Sequence, residues 1–464
     1  MTQVVDRVGE LRAAMGGAVV TPDDPGYDEA RRVWNAGIDR RPSVIAYCTS
    51  TEDVVAAVTF ARETSLEISV RSGAHSSAGT SVGDAGICID LSRMNDVEVD
   101  PGARRARAQG GALLRDLDAA TQIHGLAVPA GEIGHTGVAG LTLGGGMGWL
   151  TRVHGLTIDN LVAARVVLAD GRVVRAAEDE NEDLFWALRG GGGNFGIVTE
   201  FELALHEVGP TVQVGMLFWE VEQARDVLRL FRETIPQLPD DMGFQAVALH
   251  APPAPFVPVE YQGRKVVTIA TIGFGAASIH ADLVDRLRSS LTPDFELIAE
   301  MPYTVLQGMF DEAYAWGVHA YEKSAYLDTA FSDACLEVLA DDMAAMLSPM
   351  SAFHLYVLTG AYCAPDDDAT AFSGGRTPRL GTFIIGMVPD ADALPAERAW
   401  VRGSYDALAP HALSRGSYVN GLGEDDVHRI PASYGSKYPR LAEIKAAYDP
   451  ENVFHRNVNI QPAV

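Results

Sequence analysis

Three loops of glycine and other small residues interrupt strand-like apolar runs in the first two hundred residues. They cover residues 71–79 (RSGAHSSAG), 134–148 (within GHTGVAGLTLGGGMGWL) and 190–196 (within RGGGGNFG). A residue without a Cβ lets the backbone come close to a bulky group and offer it N–H dipoles. The third loop contains a literal GxGxxG at Gly191, Gly193 and Gly196. A helical pattern precedes it and a strand pattern follows, the reverse of the strand–glycine–helix order of a Rossmann fingerprint, so that reading is rejected. No GxxxxGKS/T occurs either. Any one of these loops reads as a tight strand turn. Three in one region, each beside apolar strands, point to a shared anionic ligand held by N–H groups without lysines.

Composition removes other classes. The 464 residues exceed one ordinary core and imply more than one domain. A formal charge of −26, with acidic residues dispersed along the chain, argues against binding a nucleic-acid backbone. No run of about 18 apolar residues suggests a membrane span, and MTQVVDRVGELRAAMGG carries charges where a signal peptide has an apolar core. Cys48, Cys88, Cys335 and Cys363 are far apart and form no CxxC pair, so buried thiols are expected rather than a metal site or disulfide framework. The expectation is a cytoplasmic protein; charge neither predicts nor forbids an oligomer.

Periodicity predicts an α+β fold. VVDRVGELRAAM and TEDVVAAVTFARETS read as helices, the second N-capped by Thr51. SVIAYC, LEISV and ICIDLS read as strands, and DVEVD with RRARAQGG as a hairpin. Residues 111–125 read as helical. LVAARVVLADGRVVRA is a hairpin turning on Asp-Gly, NEDLFWALRG a helix and IVTEFELAL a strand. The pattern changes near residue 206, where strands VQVGMLFW, VVTIATIGF and HLYVLTGAYC and the helix VEQARDVLRLFRETI suggest a second α+β unit. The expected division is 1–205, 206–414 and a loop-rich last segment, 415–464, that ends in the helix YPRLAEIKAAYD.

Several of these segments together resemble one family. Arg71-Ser72-Gly73-Ala74-His75-Ser76 is similar to the R-S/G-G-x-H-S loop of FAD-linked oxidases of the vanillyl-alcohol-oxidase (PCMH-type) superfamily, more narrowly the berberine-bridge-enzyme-like group. GLTLGGGMGWLTRVHGLTIDNL, NEDLFWALRGGGGNFGIVTEF, the Y-x-N element at Tyr418-Val419-Asn420 and YPRLAEIKAAYDPENVFHRNVNIQP extend the resemblance over nearly the whole chain. It implies a PCMH-type FAD-binding domain built from the N-terminal half and the C-terminal tail, with a substrate domain of mixed or antiparallel sheet between them.

The resemblance also implies roles. FAD would be bonded covalently to His75, whose unprotonated ring nitrogen is the nucleophile and whose small neighbours leave room for the flavin edge. Ile133 stands where doubly linked relatives carry cysteine, so a single link is expected. Arg71, Ser72, Gly73, Ala74, Ser76, Gly131, Gly137, Gly144, Gly145, Gly148, Asp159, Asn160, Gly196, Ile197, Val198, Asn420, Asn457 and Asn459 are the implied cofactor contacts. Tyr418 is the implied base, provided that a neighbour lowers its pKa. His135 would orient substrate or oxygen. Strand alternation puts His354 and Tyr356 on one face with Ala352, over the flavin, and Tyr303 and Gln307 would border the pocket. Position 354–356 lacks a carboxylate, leaving an acid–base glutamate without a candidate. The implied reaction is hydride transfer from a small organic or secondary-metabolite substrate to the flavin, with O2 reduced to H2O2. An oxygenase acting on polyketides and a flavin-bearing binding protein without turnover are the alternatives. The implied partners are that substrate and O2, with no metal.

Overall fold

The computed structural model describes residues 2–464. Val44, Ile45 and Ala46 are fully buried, the continuous apolar run of a strand covered on both faces. Their strand, Val44–Tyr47, pairs in parallel with Ile87–Asp90, which pairs in parallel with Ile68–Arg71; Val19–Val20 adds an antiparallel edge. Helix Thr51–Thr64 connects two of these strands. Its N-cap is Ser50, not Thr51: Ser50 is extended and its Oγ accepts the Asp53 N–H at 3.2 Å. Thr51 is already helical and its hydroxyl meets that of Thr199. Two adjacent residues had the chemistry to cap, and backbone conformation chose between them.

A five-stranded antiparallel sheet follows, ordered Val97–Asp100, Arg105–Gln109, Ile197–Ala204, Leu161–Val167, Val173–Ala177. Both expected hairpins form, the second closing with Leu168 N–H on the Arg172 carbonyl at 2.9 Å. The residues packed beneath this sheet include Val419, Leu422, Leu441, Ile444 and Ile460, so the C-terminal segment shares a core with residues 106–205.

Residues 211–388 form a seven-stranded antiparallel sheet, ordered Phe295–Pro302, Thr211–Glu220, Lys265–Gly273, Met242–His250, Ala352–Leu358, Arg379–Val388, His319–Leu327. Helices Ala224–Thr234 and Asp333–Ala344 cover one face, burying Phe353, Leu355, Val357 and Ile384. The period of two then sends Glu322, His354, Tyr356, Phe383 and Ile385 to the opposite face. The strand expected over HLYVLTGAYC ends at Leu358. Gly360 takes φ +62°, and a Cβ there would lie 2.5 Å from the Arg152 carbonyl oxygen, so the chain turns into a short 3-10 helix. No helix among the described residues is long and apolar enough to cross a membrane.

The C-terminal return is locked by Lys445, which is fully buried. Its ammonium donates to the Asn194 carbonyl (2.6 Å), the Phe454 carbonyl (2.9 Å) and Asp449 (2.6 Å), and Asp449 in turn accepts the N–H groups of Val453 and Phe454 at 2.8 Å. This network ties the last helix and tail to the 190–196 loop. Removing one member of a buried, fully hydrogen-bonded pair leaves the other charge uncompensated. Lys445→Met is expected to cost about 3–5 kcal/mol, read as a lowered urea midpoint by tryptophan fluorescence.

Candidate active site

A cavity of about 420 Å³ lies where the small-residue loops meet the face of the seven-stranded sheet opposite helices Ala224–Thr234 and Asp333–Ala344. Ser72, Gly73, Ala74, His75 and Ser76 come from the first loop, Gly137 from the second, and Gly131, Glu132 and Ile133 from the segment just before it. Gly192, Gly193 and Gly196 come from the third, and Ile197 and Val198 from the strand that follows it. Glu322, His354, Tyr356 and Phe383 project from the sheet, and Tyr418, Asn420 and Asn457 from the C-terminal segment. The first two loops touch through backbone: a Cβ on Gly73 would lie 2.2 Å from Gly137 N, and one on Gly137 2.3 Å from Gly73 N. The third is joined to the second by the Gly192 N–H on the Leu143 carbonyl at 2.9 Å.

Other expected contacts stand behind this wall. Arg71 donates to the Ala30 carbonyl and pairs with Asp90 at 3.3 Å. Asp159 forms a buried pair with Arg376 at 2.6 Å. Asn160 donates to the carbonyls of His154 and Leu156 at 2.9 Å. Gly144 packs on Asn420, Gly145 on Phe372 and Tyr418, and Gly148 on the Ala130 carbonyl. Asn459 and Tyr303 are outside the wall, as is Gln307, which donates to the Gly131 carbonyl and Asp118 at 3.1 Å. These side chains shape the loops that line the cavity rather than the cavity itself.

His75 stacks on Trp34 with ring centroids 4.6 Å apart, and its Nε2 lies 2.9 Å from Nδ1 of His135. His135 is itself behind the wall, with Nε2 3.4 Å from the Asp311 carbonyl. Burial, reinforced by the neighbouring His135, lowers the His75 pKa to about 3, so its imidazole is neutral.

The Tyr418 hydroxyl oxygen accepts the Gly146 N–H at 3.0 Å and the Asn420 side-chain amide at 2.9 Å. Both favour the phenolate, yet burial outweighs them and pushes the phenol up to about 12. The condition attached to Tyr418 as a base, a lowered pKa, is therefore not met by the protein's own groups, and the phenol is a proton donor near neutrality.

Carboxyl groups reach the cavity from positions that the sequence reading did not select. Glu132 is buried; its Oε2 accepts from the Tyr356 hydroxyl at 3.1 Å and the Gln245 amide at 3.4 Å. Burial raises its pKa to about 8. Glu322 accepts from the Ser77 hydroxyl at 2.6 Å and is also raised by burial. A usable signal existed for each: a charged residue inside the small-residue run AGEIG, and a glutamate on the same alternating face as Ser324 and Tyr326. His354 completes the group, its Nε2 3.0 Å from the Tyr314 hydroxyl. Ser72 Oγ, Glu132 Oε1, His354 Nδ1 and Asn457 Oδ1 are buried without a partner in the protein. Unpaired buried polar atoms in the wall of a cavity can be satisfied by a bound molecule.

Known proteins resemble this chain in sequence and fold. Residues 42–177 match the FAD binding domain family and residues 417–461 the berberine and berberine-like family. The (R)-6-hydroxynicotine oxidase of Paenarthrobacter nicotinovorans is 31% identical over 96% of this chain and 97% of its own. The crystal structure of 6-hydroxy-D-nicotine oxidase from Arthrobacter nicotinovorans matches with a TM-score of 0.84 and 28% identity, covering 97% of this chain and 98% of that one. Glucooligosaccharide oxidase from Acremonium strictum, described with a 6-S-cysteinyl, 8α-N1-histidyl FAD, matches with a TM-score of 0.86 and 25% identity, covering 98% and 99%.

The buried imidazoles make the site acid-sensitive. His354 is held by burial at about 4, below its ordinary 6.5. The unfolded chain therefore binds a proton that the folded chain does not, and stability falls as pH drops from about 6.5 toward 4. The thermal midpoint is expected to decline over that window, with up to about 1.4 kcal/mol lost per pH unit for each such imidazole. His354→Phe is expected to flatten the decline, as measured by calorimetry between pH 4 and 7.

Proposed function

This chain belongs to the FAD-linked oxidoreductases of the berberine-bridge-enzyme-like group, and we propose that it is an oxidase carrying its flavin on His75 through a single covalent bond. The observation that carries this reading is the neutral His75 imidazole in the wall of the cavity. Attachment to a flavin requires an unprotonated ring nitrogen as nucleophile, and burial maintains that form across the physiological range. Ile133, also in the wall, has no nucleophile for a second bond.

The residues present fit FAD. An added Cβ at Gly140 or Gly193, both in the wall, would meet nothing within 4 Å, so the cavity reaches the backbone there. Ser72 Oγ and Asn457 Oδ1 await polar partners. Loop residues Gly73, Ala74, Ser76, Gly131, Gly137, Gly196, Ile197 and Val198, with Asn420 and Asn457, would hold the cofactor. When bound, FAD supplies a two-electron acceptor for a C–H hydride and a route by which those electrons reach O2, giving H2O2.

The chain's own residues supply the rest. The Tyr418 oxygen already accepts two hydrogen bonds, so its O–H is free to donate to a substrate heteroatom and orient it. Phe310, Phe383 and Ile385 give the cavity apolar walls that exclude water from the substrate. The mixture of aromatic and polar groups on the sheet side of the cavity suits a small organic substrate. The unpaired cysteines support a reducing compartment, the cytoplasm.

The denatured protein is expected to carry the mass and fluorescence of one FAD, and His75→Ala to carry neither. A substrate panel of alcohols, amines and aldoses is expected to bleach the flavin, with one H2O2 formed per turnover. Retained FAD in denatured His75→Ala would overturn the attachment site; label from isotopic dioxygen in the organic product, with no peroxide, would overturn the oxidase reading.

A further inference from the structure

The seven-stranded sheet and the segment 131–137 meet at a contact that the family segments do not explain. Glu132 is only 6% exposed and extends from the glycine loop to two neighbouring strands, where Tyr356 and Gln245 both donate to Oε2. Its second oxygen, Oε1, has no partner. Tyr356 is half-buried, lines the cavity and points its hydroxyl at Glu132. A cavity-facing phenol backed by a carboxyl that already accepts its proton in a hydrogen bond is a path for a proton out of the substrate.

We propose that Tyr356 and Glu132 form the proton relay of the oxidation, Tyr356 touching the substrate and Glu132 receiving the proton through it. The proposal rests on the oxidase reading above. The substrate O–H or N–H proton passes to Tyr356 Oη as the phenol's own proton passes to Glu132 Oε2. The adjacent C–H hydrogen leaves with its electron pair to the FAD, and a carbon–oxygen or carbon–nitrogen double bond forms. The proton held on Glu132 and the transferred hydrogen together make up the two that O2 takes on becoming H2O2.

The surroundings support this direction. The ionisable groups facing Glu132 are the phenols of Tyr356, Tyr314 and Tyr303, all pushed above their ordinary range by burial; the neutral His354 stacks on Tyr356 beyond them. Asp118 lies beyond Tyr303 and is raised to about 7 by burial. Arg152 lines a small void behind Glu132, but its guanidinium is engaged by Thr359 and by the carbonyls of Pro239 and Met242. Burial without a cationic partner sets Glu132 at about 8, where it exchanges a proton readily near neutrality.

The test uses the flavin-loaded protein and the compound from the panel above that bleaches it fastest. The ionised carboxyl is the acceptor, so the wild-type bleaching rate is expected to rise with pH through about 8 and then level off. Glu132→Gln, with flavin content unchanged, is expected to bleach at least ~100-fold more slowly and to lose that rise; Glu132→Asp is expected to restore part of both. Tyr356→Phe removes the relay from its other end and gives the same result should Glu132→Gln fail to hold flavin. Infrared difference spectra of the substrate-free protein are expected to show a protonated-carboxyl band that disappears as pH rises through about 8 and is absent in Glu132→Gln. Unchanged rate and pH dependence in both Glu132→Gln and Tyr356→Phe, or a Glu132 carboxyl still protonated at pH 10, would overturn the relay. Absence of bleaching in the wild type with every compound would instead overturn the oxidase reading.

Discussion

The contact between the backbones of Gly73 and Gly137 sets the geometry of the cavity. The loop that leaves the parallel sheet and the loop that precedes the long glycine run approach until a single Cβ on either would overlap the other's amide nitrogen. His75 lies two residues after Gly73 and His135 two residues before Gly137, and the approach brings their rings within hydrogen-bond distance. The second loop is held from behind by the Leu114 N–H on the Thr136 carbonyl and the Val138 N–H on the Ala112 carbonyl, both at 2.9 Å. A side chain at either glycine would separate the two loops by more than an ångström and displace His75, Glu132 and Ile133 together.

Burial then sets the charge of the wall. A poorly hydrated environment disfavours the charged form of every group, so it raises acids and lowers bases. Glu132, Glu322, Tyr356 and Tyr418 are raised, while His75 and His354 are lowered. The outcome is a cavity with many titratable groups and little fixed charge, in a protein whose overall charge is −26. That overall charge says little about the site. Inside, a carboxyl held near 8 by burial, such as Glu132, can take up and release a proton close to neutrality.

The seven-stranded sheet divides its labour by face. Residues of one parity enter the helix-covered core, and their neighbours face the cavity, so Phe353 and Leu355 hold His354 and Tyr356 in place. The C-terminal tail closes the opposite side, bringing Asn457 to the wall while Lys445 anchors it to the 190–196 loop.

The sequence by itself determined what depends on neighbours along the chain. The period of two in 352–358, the Asp-Gly hairpin, the small-residue loops and the motif around His75 are all local patterns, and together they specified the α+β class and the family. Tertiary structure decided what depends on pairing and burial. Backbone conformation made Ser50 rather than Thr51 the cap, and the strand ends at Leu358, just before Gly360 packs against the distant Arg152 carbonyl. Asp159 belonged to the recognised segment but took Arg376 as its partner, 217 residues away, and so supports the loop from behind. Glu132 gained its meaning only from Tyr356, 224 residues distant. A carboxyl group becomes a proton acceptor near neutral pH through the water it loses and the donor it meets, and both are properties of the folded chain.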